Sequence, residues 1–198
     1  MSLVKSKVRY KSYGYHEPTI ITLHHTAGGR AGSEQYLKQQ GLGYHYMIDK
    51  DGTVYQYNDI SEVVGHSSRA NHGYIGISYV SGGPLGPTTE QQIQASIELI
   101  KSITNNYSSV SKVSNHATID KLVAKRGWKS DPQYLGEKSE QNNFSIKNAQ
   151  LDRIAKETGL QPIKYNVVLS RLPIMNDRYP TSSLLPSDDL GIEVDICG

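Results

Sequence analysis

The sequence predicts a mixed α/β fold: one domain with a central β-sheet flanked by helices. Two observations carry that expectation. Short runs rich in β-branched and aromatic residues alternate with longer segments whose apolar residues recur every three or four positions. Strands interleaved with helices in this way fold as one sheet with helices laid over it. The length, 198 residues, is that of about one domain, and 36% hydrophobic with 20% charged residues is enough to build a core.

Taken in order, residues 19–24 (TIITLH) form a β-type run that ends in the loop Thr26-Ala27-Gly28-Gly29. Residues 33–40 read as a short helix closed by Gly41, and residues 44–48 as a second strand. Asp51-Gly52 is a tight hairpin signal, with residues 53–57 returning as a third strand. Residues 74–80 form a fourth strand. Residues 88–105 carry Ile93, Ile97, Ile100 and Ile103 at helical spacing, with a capping box expected at Thr88 and Gln91. Residues 110–113 read as a further strand leading into Asn115-His116, and residues 146–158 as a helix stopped by Gly159. Pro162, Pro173, Pro180 and Pro186 punctuate residues 160–198. These are expected to be a C-terminal extension packing on a domain formed by residues 1–159.

Composition excludes several classes. Lys+Arg 21 against Asp+Glu 19 is too balanced to mark a nucleic-acid or membrane-surface protein. No apolar stretch approaches the roughly 18 to 20 residues of a membrane-spanning helix. The single cysteine, Cys197, excludes an internal disulfide and a thiolate-rich zinc cage, so a metal here leans on nitrogen and oxygen ligands. The first residues turn polar without the apolar core of a secretory signal. The chain holds 14 Tyr, most of which, including Tyr46, Tyr55 and Tyr57, are expected to pack the sheet.

Chemistry-bearing residues gather at strand ends and in loops: His24-His25, Tyr44, residues 66–76, His116 and Lys129-Ser130-Asp131-Pro132. His24, His116 and Asp131 would supply two neutral imidazoles and one carboxylate, a catalytic-zinc ligand set that leaves a fourth position for water. Adjacent strand residues face opposite ways, so His24 and His25 cannot both reach one metal. Ile21, Leu23 and His25 share an apolar side while Thr22 and His24 share the polar one, which favours His24; His25 and His45 are expected to be structural. Lys129 and Asp131, two apart before a proline, project the same way in extended backbone. A fixed ammonium beside such a site can stabilise an oxyanion by roughly 2.7 to 4 kcal/mol.

Ile20-Ile21-Thr22-Leu23-His24-His25-Thr26-Ala27, Gly43-Tyr44-His45-Tyr46-Met47-Ile48 followed by Asp51-Gly52-Thr53-Val54, Asn71-His72-Gly73-Tyr74-Ile75-Gly76-Ile77, and His116 with Lys129-Ser130-Asp131-Pro132 together resemble the zinc-dependent N-acetylmuramoyl-L-alanine amidase family. That family includes phage lysozymes of the amidase type and the peptidoglycan recognition proteins. The resemblance runs over about residues 17 to 158, and four weak motifs in the right order make a strong joint signal. It implies Zn2+ held by His24, His116 and Asp131 in a groove that takes peptidoglycan, with Tyr44 hydrogen-bonding the attacking water and Lys129 polarising the scissile carbonyl. Ser78 stands where many members carry a glutamate base.

His66, Arg69 and Asn71 are candidates to line the substrate groove, although the same loop also reads as a solvated connection. Lys121, Lys125 and Arg126 read as a small basic loop. The expected function is an endolysin-type amidase that stays in the cytoplasm of the producing cell until it is released to the wall. The rival is a recognition module of the same fold that binds muropeptide without cutting it.

Overall fold

The computed structural model describes residues 2–67, 70–125 and 146–164, with the side chains of residues 123–125 outside that description. In chain order the elements are β1 (Leu3–Lys5), β2 (Ile20–His25), α1 (Arg30–Gln40), β3 (Tyr46–Ile48), β4 (Val54–Gln56), β5 (Tyr74–Tyr79), a 3-10 turn at Gly83–Leu85, α2 (Glu90–Asn106), β6 (Lys112–Asn115), α3 (His116–Lys125), α4 (Asn148–Thr158) and β7 (Gln161–Pro162). The strands form one sheet in the order β1-β4-β3-β5-β2-β6-β7. The β3–β4 pair is antiparallel and the other pairs are parallel. The mixed α/β sheet expected from the sequence is present.

Both faces of the sheet are covered, which is why β2 and β5 are buried along their whole length. On one face Ile21, Leu23, Ile75, Ile77, Ile48 and Val113 join Ile93, Ile97, Ile100 and Ile103 of α2 and Leu151 and Ile154 of α4 in the main core. Each such aliphatic side chain withdrawn from water contributes roughly 1.5 to 3 kcal/mol. The opposite face carries two smaller clusters. Leu37 of α1 packs with Tyr10, Tyr44, Met47, Tyr57 and Val80; Ile119 and Leu122 of α3 pack with Ile20, Ala70, Tyr74 and Ile163. Between those clusters the sheet presents small and polar residues: Thr22, His24, Gly76 and Ser78.

The hairpin forms at Asp51-Gly52 as expected, with Gly52 at φ 85° and its N–H donating to the Asp49 carbonyl. Gly41 and Gly159, in left-handed conformation, close α1 and α4. The capping box of α2 sits one residue later than expected. Gln92 N–H donates to Thr89 Oγ1 (3.2 Å), and Thr89 N–H donates to Gln92 Oε1 (3.0 Å). Two Thr-x-x-Gln registers overlap here, and tertiary bonds select the second. Thr89 Oγ1 also donates to the Lys50 carbonyl, and Gln92 Nε2 donates to that of Ile48.

Three elements depart from the sequence expectation. Lys121 and Lys125 lie on α3 rather than in a loop; Arg126 lies outside the described residues. Asn115 Oδ1 caps that helix by accepting from Thr118 N–H (2.9 Å), and Ile119 and Leu122, three apart, bury its inner side. β1 adds a parallel strand beside β4, and β7 adds one beside β6. Thus the first residues of the C-terminal extension join the sheet; residues 165–198 lie outside the described residues. No described helix is long and apolar enough to cross a membrane.

Candidate active site

The site lies on the polar strip between the α1 and α3 clusters. β2 delivers His24 from its second-last position; the parallel register sets it beside Ser78 of β5. Leu23 pairs with Asn115 at the end of β6, so the next residue, His116, opens α3 close to His24. The two imidazole centroids are 4.6 Å apart, and the Tyr44 ring is 4.9 Å from that of His24. His24 (1% exposed), Tyr44 (0%) and His116 (3%) are buried. Residues 20 and 92 positions apart from His24 in sequence thus converge on one imidazole through strand register alone.

His25 takes the other side of the strand, where its Nδ1 lies 2.6 Å from Ser81 Oγ, beside the Tyr79 ring. His45 is buried and hydrogen-bonded: Nε2 donates to the Glu62 carbonyl (2.8 Å) and Nδ1 accepts from Gly76 N–H (3.0 Å). Both have the structural surroundings expected of them.

His66 stands behind His24. Its Nε2 is 3.4 Å from the Tyr74 carbonyl and its Nδ1 is 3.1 Å from His24 Nε2. With its proton on Nε2, facing that carbonyl acceptor, His66 leaves Nδ1 as an acceptor shared by His24 Nε2–H and Ser67 Oγ, 3.2 Å away. That assignment makes His24 Nδ1 the lone-pair nitrogen, and this buried atom has no hydrogen-bond partner among the described residues. A buried acceptor without a partner is costly, and a metal ion would satisfy it. His24 therefore fits the zinc ligand role expected of it.

The electrostatics agree. Burial holds His24 well below the ordinary histidine range, and the neighbouring His116 and His66 push it the same way, which favours the neutral imidazole that a metal binds. His66 is likewise held well below by burial, with His45 next, and burial pushes His45 down to about 4. The close approach of His66 depends on Gly76: a Cβ there would lie 2.7 Å from His66 Cγ.

Asn71 Oδ1 accepts the backbone N–H groups of both His66 (2.9 Å) and Ser67 (2.8 Å), tying the loop around His66. The structure thus brings His24, His116, Tyr44 and His66 together, with Asn71 one step behind. Arg69, Lys129 and Asp131 lie outside the described residues. Among the described residues no group of three His, Cys, Asp or Glu side chains is arranged to hold a metal ion by itself.

Two contacts escaped the sequence reading. The contact of His66 with His24 spans 42 positions and has no local signal. Asp120, fully buried, places Oδ2 3.4 Å from His116 Nε2; the spacing of four is a helix signal that was hidden because α3 read as a loop.

Comparison with known proteins bears on this arrangement. The N-acetylmuramoyl-L-alanine amidase family profile matches residues 14–134. The endolysin of Escherichia phage T7 is 29% identical over 109 residues, which is 49% of this chain and 72% of that protein. The N-acetylmuramoyl-L-alanine amidase LysC from Clostridium intestinale URNW is similar in fold, with a TM-score of 0.52 at 22% identity over 65% of this chain and 99% of that one. The Ph2119 endolysin from Thermus scotoductus MAT2119 bacteriophage Ph2119 has a TM-score of 0.51 at 20% identity, over 79% and 98% of the two chains. Since the family profile spans more than half of the sequence and includes His24, Tyr44, His116 and Asp131, the chain belongs to the N-acetylmuramoyl-L-alanine amidase family and is a peptidoglycan amidase.

Proposed function

We propose that the protein is a zinc-dependent endolysin-type amidase that hydrolyses the bond between the lactyl carbonyl of N-acetylmuramic acid and the amine of L-alanine. The observation that carries the zinc assignment is the buried lone-pair Nδ1 of His24, in ring contact with His116 and Tyr44. His24, His116 and Asp131 would hold the ion. When bound, zinc would act as a Lewis acid and lower the pKa of water toward about 7.

The protein's own groups would do the rest. The hydroxyl of Tyr44 orients the attacking water and relays a proton to the departing alanine amine. The Lys129 ammonium would stabilise the oxygen that becomes negative as the carbonyl carbon turns tetrahedral. Hydrolysis adds one water: its oxygen ends in the lactyl carboxylate, and the amide nitrogen leaves as the free amine of the stem peptide. His66 backs His24 and Asn71 holds the His66 loop, so these two support the site from behind. Arg69, from the same loop, would meet the substrate itself. Ser78 is buried beside His24 and replaces a glutamate base, which leaves proton transfer to Tyr44.

The 29% identity to a phage endolysin supports action on the cell wall after release from the producing cell. The test is labelling of new amino termini on purified walls. N-terminal alanine should accumulate with protein, stop with a chelator and resume with zinc. Unlabelled walls after treatment with zinc-loaded protein would favour the muropeptide-binding alternative.

A further inference from the structure

Asp120 is a carboxylate buried where carboxylates are rarely found. It is 0% exposed and lies on α3 between Ile119 and Leu122, both members of an apolar cluster. Neither of its oxygens has a hydrogen-bond partner among the described residues. The polar group the structure sets against it is His116 Nε2, 3.4 Å from Oδ2. A buried carboxylate without a compensating donor costs several kcal/mol, so its retention at this point needs a reason.

Helix geometry supplies the contact. His116 and Asp120 are four apart on α3, so their side chains share one face, one turn from each other. The backbone beneath is fixed, because Asn115 caps the helix through Thr118 N–H and its own Nδ2 donates to the Ile146 carbonyl (2.9 Å). His116 is therefore held at a helix start whose position is tied both to β6 and to the residue leading into α4. A proton on Nε2 of the neutral ring would lie toward Asp120 Oδ2, 3.4 Å away, and would leave Nδ1 as the lone-pair nitrogen. The same polarity was derived for His24, where His66 accepts the Nε2 proton.

We infer that Asp120 is a positioning residue for the metal site: its carboxylate, 3.4 Å from His116 Nε2, favours the proton on that nitrogen and directs Nδ1 of His116 toward the ion that Nδ1 of His24 also faces. This rests on the zinc reading above. Histidine ligands commonly donate their second ring N–H to a carboxylate, which orients the ring and raises its basicity as a ligand. His24 and His116 would then be matched, one backed by a neutral imidazole and the other by a carboxylate.

The test reads the tautomer and the metal separately. Long-range 15N–1H correlation on metal-free protein should show His116 protonated on Nε2. Zinc affinity, measured by competition with a chromophoric chelator, should fall 10- to 100-fold in both Asp120→Asn and Asp120→Leu. Leucine is the packing control: it fills the apolar site without the carboxylate, so a purely structural Asp120 would leave zinc affinity unchanged in that variant. A proton on Nδ1 of His116 in the wild-type protein, or wild-type zinc affinity in both variants, would overturn the inference. The tautomer is read without metal and without substitution, so it decides the role even if a variant does not fold. Failure of the wild-type protein to bind zinc would overturn the metal reading alone, leaving the His116–Asp120 pair to be judged by the tautomer.

Discussion

Gly76→Ala is the substitution whose effect the geometry fixes most closely. The added Cβ would lie 2.7 Å from His66 Cγ, closer than real contacts come, and 3.0 Å from Cδ2 and 3.1 Å from Nδ1, tighter than most. The ring has little room to retreat. It is 3% exposed, and its backbone N–H and that of Ser67 are both held by Asn71 Oδ1. Overpacking of this kind costs about 1 to 3 kcal/mol, which for a chain of this length lowers Tm by roughly 2 to 12 °C. Displacing His66 also stretches its 3.1 Å bond to His24 Nε2, so zinc affinity should fall about 10-fold or more. Thermal unfolding in chelator isolates the packing term from metal linkage, and chelator competition reads the second effect. Gly32→Ala is the control. It lies in α1 with nothing within 4 Å of its added methyl, and should raise stability by about 0.4 to 1 kcal/mol without touching zinc affinity. Unchanged Tm and zinc affinity in Gly76→Ala would refute both the close packing of His66 and its role behind His24.

Tyr44→Phe should lower turnover on purified walls about 100-fold or more while zinc remains stoichiometric, and unaltered turnover would remove Tyr44 from the mechanism. His24→Ala and His116→Ala should each lose bound zinc by elemental analysis; stoichiometric zinc in either variant would refute that ligand. Acid should destabilise the metal-free protein. The folded pKa of His45 is about 4 against 6.5 for an ordinary histidine, so the unfolded chain binds more protons between those values. This group's contribution is complete above pH 6.5, is lost as pH falls toward 4, and amounts to about 3 kcal/mol. His16, His24 and His66 are depressed in the same direction and steepen the loss. Urea unfolding in chelator at pH 7, 5.5 and 4.5 checks this, and a flat profile would contradict the buried neutral histidines.

The parts of this fold that could be read in sequence are those written in local pattern. The apolar alternation of β2 put His24 on the polar side of its strand, where the structure finds it facing His116 and Tyr44. The isoleucine spacing of α2, the Asp51-Gly52 hairpin and the glycine stops of α1 and α4 each act within a few residues of themselves. What escaped depends on distant partners. β1 is only three exposed residues, Leu3-Val4-Lys5, that become a strand because β4 offers an edge. β7 contains a proline, tolerated because it pairs only with β6 at the margin of the sheet. α3 has a short apolar pattern interrupted by lysines, and its cap, Asn115, is also the last residue of a strand. The same blindness hid the second layer of the site, since His66 and Asp120 acquire their roles only when the loop before β5 and α3 are placed against the two histidines.

Hydrolysis at the muramoyl–alanine amide is read out by mass spectrometry of wall digests made in H2(18)O. The expected products are a glycan with one 18O in the lactyl carboxylate and unlabelled stem peptides with a free N-terminal alanine, abolished by chelator and restored by zinc. Label in a peptide carboxylate, cleavage within the glycan, or no soluble product from zinc-loaded protein would contradict it.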